Sequence, residues 1–145
     1  AALTRLVPHP PNFAPITSMS LFAGAYFTRK HLAFIAPLLA MLISDLFLGF
    51  SAISAFVYLS FAVITWVGQQ KNSVTPKLVL LGSVLFFLIS NLGVWLLYYP
   101  KTFDGLVSCF ALAVPFFATS LVGDIFYSLI LVFGFSAISR RLQLS

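Results

Sequence analysis

Residues 35–49 read IAPLLAMLISDLFLG, from Ile35 to Gly49. The stretch is apolar on every helical face, and a helix of that kind belongs in lipid rather than against a water-washed core. One acid, Asp45, interrupts it. An ionised Asp at the centre of a membrane helix costs ~3 kcal/mol on insertion scales. Asp45 stands nearer one end, which lowers the cost but still demands a partner or water. Two readings stay open. Asp45 caps the loop after Gly49 or bonds a neighbouring helix, or it lines a polar pocket.

Composition carries the same message across the chain. Of 145 residues, 61% are hydrophobic and 8% are charged, and the mean hydropathy is +1.06. Soluble domains carry about 25% charge. The class is an all-α membrane protein, a multi-span helical bundle forming a single transmembrane domain over residues 1–145. At ~20 residues per span, the length suits about five or six spans. The net charge is +5, but no basic run is interleaved with aromatics. The basic residues sit at segment ends, which suits a lipid bilayer with anionic headgroups and excludes nucleic acid as a partner. The 17 Phe residues suit a lipid-facing surface and tight packing. A single Cys excludes an intrachain disulfide and a multi-Cys metal site. No HExxH, Ser/His/Asp arrangement or Gly-rich phosphate loop is present, so neither an enzyme nor a cofactor is expected.

The chain opens Ala1-Ala2-Leu3, and Leu3, Leu6 and Val7 read as the tail of an apolar helix. A further N-terminal helix ahead of them is expected. Val7 to Pro15, VPHPPNFAP, holds Pro8, Pro10, Pro11 and Pro15 and favours a stiff, extended path. It presents His9 and Asn12, either as a surface loop with a turn-forming Asn or as a rigid lid over a pocket. Ile16 to Phe27 is a short span whose Ser20, Ala23 and Gly24 permit close helix approach. Thr28 to His31 is a basic turn. Leu32 to Gly49 is the next span, with Ala36, Ala40 and Ser44 repeating at i, i+4 as a packing ridge and Pro37 as a candidate kink.

Ile53 to Val67 forms a third span and ends in the polar loop 68–77. Leu78 to Tyr99 is the fourth. Its Asn91 either bonds another helix or meets a ligand, and Trp95, Tyr98 and Tyr99 read as an interfacial belt. Leu106 to Phe117 is apolar but short for a crossing and carries Pro115. Cys109 within it reads first as a small core residue. Thr119 or Ser120 is a candidate N-cap for a last span, Leu121 to Ile138. Asp124 would then sit in the first turn of that helix, where an acid is favourable.

Charge decides between topologies. Arg29/Lys30 and Lys71/Lys77 are two spans apart and share a side, taken as the cytoplasmic side of the cell's inner (plasma) membrane. Lys101 and Asp104 then lie outside. Were Leu106 to Phe117 a span of its own, Arg140/Arg141 would end outside. With a re-entrant Leu106 to Phe117, Arg140/Arg141 end inside. The second arrangement is expected. It gathers His9, Asn12, Asp45, Asn91, Trp95 and Asp124 in the outer leaflet, and their convergence predicts a ligand pocket open to the outside.

Several stretches together resemble a group of small, uncharacterised bacterial integral membrane proteins: PHPPNFAP, LFAGAYF, APLLAMLISDLFLG, YYPKTFDGLVSCFALAVPFF and GDIFYS. The PHPPNF loop and the later SDLxLG are the most specific parts. More distantly, the pattern is similar to the substrate-binding S components of energy-coupling factor vitamin transporters. Those carry an acid-Leu-x-x-Gly helix end, matched here by Asp45-Leu46-Phe47-Leu48-Gly49. The resemblance implies an S-component-like fold of six helices with both ends cytoplasmic and a ligand site near the outer face. The segment before the last helix is longer here than in that pattern.

The leading functional expectation is a substrate-binding component for uptake of a small hydrophobic or vitamin-like ligand. The alternative is a non-enzymatic structural subunit or assembly factor held among membrane partner subunits.

Overall fold

The computed structural model describes residues 15–143, with side chains as far as Arg140. Over these residues the chain forms five helices and no strand: α1 (Ile16–Tyr26), α2 (Lys30–Leu48), α3 (Ser54–Gln69), α4 (Pro76–Tyr98) and α5 (Phe103–Gln143). Three of these are long and apolar enough to cross a membrane: α2, α4 and α5. α3 is apolar but shorter.

Local chemistry sets the boundaries. α1 starts directly after Pro15, whose φ of −76° suits helix entry. α2 stops at Gly49, whose φ of +90° only glycine adopts readily, and the Gly49 amide donates to the Asp45 carbonyl at 2.8 Å. Thr75 caps α4 by accepting the Leu78 amide at 3.3 Å, with Pro76 at the first helical position.

The helices alternate in direction along the chain. The short α1 packs on all four others and is the hub of the bundle. Its Ile16, Leu21 and Ala23 are buried, as are Ser18 and Ser20. Leu21 joins Met41 of α2, Phe61 and Ile64 of α3, and Leu78 and Val79 of α4 in one apolar core. On α2 the buried ridge is Ala33, Pro37, Ala40, Met41 and Ser44, while Ala36 is only half-buried. α1 and α3 meet backbone to backbone at Gly24 and Gly68. A Cβ at Gly68 would stand 2.8 Å from the Leu21 carbonyl oxygen and 3.2 Å from Gly24 Cα. The small residues expected to let α1 approach a neighbour do so.

Two contacts place the ends. Gln69 Nε2 donates to the Lys30 carbonyl at 2.9 Å. The rings of Phe22 and Tyr26 meet Phe135, with centroids 5.5 and 4.9 Å apart. Arg29, Lys30, Lys71, Lys77 and Arg140 therefore share one end of the bundle, and Lys101 and Asp104 stand at the other.

The expected re-entrant segment does not exist. Leu106 to Phe117 runs without a break into Leu121 to Ile138, and both belong to the single 41-residue α5. One continuous helix is a third arrangement, neither a separate span nor a re-entrant segment, and it also returns Arg140 to the cationic end. Pro115 lies inside the helix. It removes one amide and takes the helical donor from the Ala111 carbonyl, a loss that membrane helices tolerate. Thr119 Oγ1 donates back to the Pro115 carbonyl at 3.5 Å, so it sits within the helix and is no N-cap. The acid in the first turn of α5 is Asp104, not Asp124.

The Gly24–Gly68 contact makes a prediction. Gly68→Leu should lower the unfolding midpoint in detergent, costing about 1–3 kcal/mol, because backbone rather than a side-chain tip must move. Gly134, with nothing within 4 Å of a built Cβ, is the control. Gly134→Leu should leave the midpoint unchanged within error.

Candidate functional site

Two buried acids and one cavity hold most of the polar chemistry of the bundle. Asp124 is 1% exposed. Its Oδ2 accepts the Ser83 hydroxyl of α4 at 2.6 Å, and the Thr17 side chain of α1 also hydrogen-bonds this carboxyl group. Ser18, next along α1, donates to the Asp124 carbonyl at 2.8 Å. Asp124 thus lies at the first turn of α1, where helix amides lack intrahelical acceptors and the dipole end is positive. The acid expected to serve the start of its own helix serves the start of another.

Ser128, one turn on from Asp124, is 6% exposed, and its hydroxyl has no hydrogen-bond partner among the described residues. A Ser inside a helix ordinarily donates back to the i−4 carbonyl, here that of Asp124. That oxygen has two lone pairs. It already accepts the Ser18 hydroxyl in addition to serving the helical ladder.

Asp45 is 4% exposed, and its Oδ2 accepts the Tyr58 hydroxyl of α3 at 3.0 Å. It joins α2 to α3 towards the Lys101 end. Trp95 sits at that end too. Its Nε1 donates to the Pro100 carbonyl at 3.0 Å, and Lys101 Nζ stands 5.9 Å from the ring centroid. Lys101 Nζ also donates to the Trp95 and Tyr99 carbonyls at 3.0 and 2.9 Å, closing the last turn of α4. Cys109 is buried, and its Sγ donates to the Asn91 carbonyl at 3.5 Å.

The cavity lies between α3, α4 and α5, in the half of the bundle towards Lys101, and has a volume of about 220 Å³. Phe86, Phe87, Phe116 and Phe117 line it, with Ser90, Asn91 and Ser120 as its polar groups. The Asn91 Nδ2 donates to the Phe87 carbonyl at 2.8 Å, and Ser90 donates to the Phe86 carbonyl at 2.6 Å. Neighbouring rings hold the walls: Phe61 stacks on Phe86 at 5.3 Å, and Phe117 meets Phe87 at 5.0 Å.

Of the residues expected to converge, Asn91 lines the cavity and Asp45, Trp95 and Asp124 do not. His9 and Asn12 lie outside the described residues. Ser90 and Ser120 were missed, although a signal for Ser120 exists. Ser120, Asp124 and Ser128 repeat at i, i+4, i+8, one polar ridge on one helical face. The ridge is legible only if the chain is helical on both sides of Thr119. Among the described residues no cluster of His, Cys, Asp and Glu could hold a metal ion.

The model of a family of unknown function, DUF6580, matches residues 1–144. No curated protein and no solved structure matches the chain.

The Asp124 contacts yield a graded expectation. Asp124→Leu should destabilise the protein by about 2–4 kcal/mol, by breaking the Ser83 bond between α4 and α5 and removing the acceptor of Thr17 from the start of α1. Asp124→Asn keeps an acceptor and should cost less. Ser83→Ala should cost ~1 kcal/mol, the range of single interhelical bonds in membranes. Unfolding titrations in mixed micelles would rank the three, and Asn equal to Leu would contradict the assignment.

Proposed function

The chain belongs to the DUF6580 family, and we propose that it is an integral membrane protein that binds a small molecule, the substrate-binding component of an uptake system. The observation that carries the reading is the 220 Å³ cavity, with polar groups set in a mostly apolar wall that includes four phenylalanines. Ligand sites have this character: a mostly apolar lining with a few placed polar groups that fix orientation.

The location of the cavity supports uptake. By the positive-inside rule the end carrying Arg29, Lys30, Lys71, Lys77 and Arg140 faces the cytoplasm of a plasma membrane. The cavity then lies in the outer half, where an incoming substrate arrives first. The resemblance of Asp45-Leu46-Phe47-Leu48-Gly49 to the helix end of energy-coupling factor S components points the same way. Such a component works with membrane partner subunits that supply the energy for release.

Native mass spectrometry of gently solubilised protein tests this. The wild type should retain a small molecule. Ala113→Phe, which places a ring in the cavity, should lose it while keeping the thermal unfolding midpoint. Retention of the same molecule by Ala113→Phe would defeat the reading. Retention of a second subunit and no small molecule would favour the structural or assembly role instead.

A further inference from the structure

The polar edge of the cavity is biased towards acceptors. The Phe87 carbonyl can only accept, so the Asn91 amide must turn its NH₂ towards it, as the 2.8 Å bond records. Asn91 Oδ1 is left as an acceptor at the cavity. Ser90 has committed its proton to the Phe86 carbonyl at 2.6 Å, so its oxygen too can only accept. Ser120 lines the same space, and its hydroxyl oxygen can accept as well as donate. Among the described residues no acid or base lines the cavity. The two buried acids of the bundle are engaged elsewhere, Asp45 by Tyr58 and Asp124 by Ser83. A charged guest would therefore be buried without a counter-charge, which is strongly unfavourable.

Size and shape narrow the guest further. A cavity of about 150 Å³ lined by apolar side chains accepts benzene, so the 220 Å³ here suits one or two fused rings. The Phe61–Phe86 stack and the Phe87–Phe117 contact fix ring faces before any guest arrives, which lowers the ordering cost of binding.

We propose that the cavity between α3, α4 and α5 takes an uncharged aromatic molecule of one or two rings, whose ring N–H or O–H donates to Asn91 Oδ1. This rests on reading the cavity as a small-molecule site and specifies what enters it.

The test uses the full chain in lipid nanodiscs, with empty nanodiscs subtracted. Indole, N-methylindole and an indole carboxylate are titrated calorimetrically. Indole should bind saturably and about tenfold or more tightly than N-methylindole, which lacks the donor. The carboxylate should show no saturable binding. Asn91→Leu should bring indole and N-methylindole to within about twofold of each other. Equal binding of N-methylindole or of the carboxylate by the wild type overturns the ligand class. So does an Asn91→Leu variant that keeps the indole preference, or a wild type that does not bind indole. These results leave the broader binding reading standing as long as Ala113→Phe still sheds the retained molecule. That reading falls if Ala113→Phe keeps the molecule or the wild type retains none.

Discussion

Asp124 cannot be left alone in hydrocarbon, and the packing of three helices answers that constraint. The carboxylate of α5 takes the Ser83 hydroxyl from α4, while Thr17 and Ser18 of α1 hold its side chain and its carbonyl. Exposing such an acid to lipid costs several kcal/mol, so arrangements that pull any of the three helices away are disfavoured. The same contacts place an acid at the first turn of α1, the part of a buried helix with most need of acceptors.

The energy of the bundle does not come mainly from this point. Hydrogen bonds between membrane helices contribute ~0.6 kcal/mol on average. Close packing supplies more, and it is densest where Gly24 and Gly68 bring the backbones of α1 and α3 together. The acid acts on register instead. Sliding α4 against α5 by one turn, ~5.4 Å, would keep much of the apolar contact but separate Ser83 from Asp124. Asp45 and Tyr58 perform the same service between α2 and α3.

Once both acids are absorbed in helix pairing, what remains for binding among the described residues is neutral. The cavity beside Asn91 is walled by phenylalanines already locked against one another and edged by amide and hydroxyl groups. A site of this kind selects by shape and by a few hydrogen bonds. Five of the basic residues are concentrated at the far end of the bundle, where they suit orientation in the membrane rather than recognition.

Composition alone determined the class, since 61% hydrophobic and 8% charged residues leave no solution but helices in lipid. The basic residues at segment ends determined which helix ends lie together, and Gly24 announced a close approach. The extent of α5 was not legible, because Pro115 and the short apolar run before it are the local signs of a break. Whether a proline ends a helix depends on what surrounds it, and here the packing against α4 holds the helix continuous. The same dependence hid the site. A buried acid needs a partner, and the chain states that need at Asp45 and Asp124. Which hydroxyl meets it is a matter of distance between helices far apart in sequence, with Ser83 and Asp124 separated by 41 positions. Only tertiary packing decided that the acids would be tied up in structure while Asn91 was left at the edge of a gap.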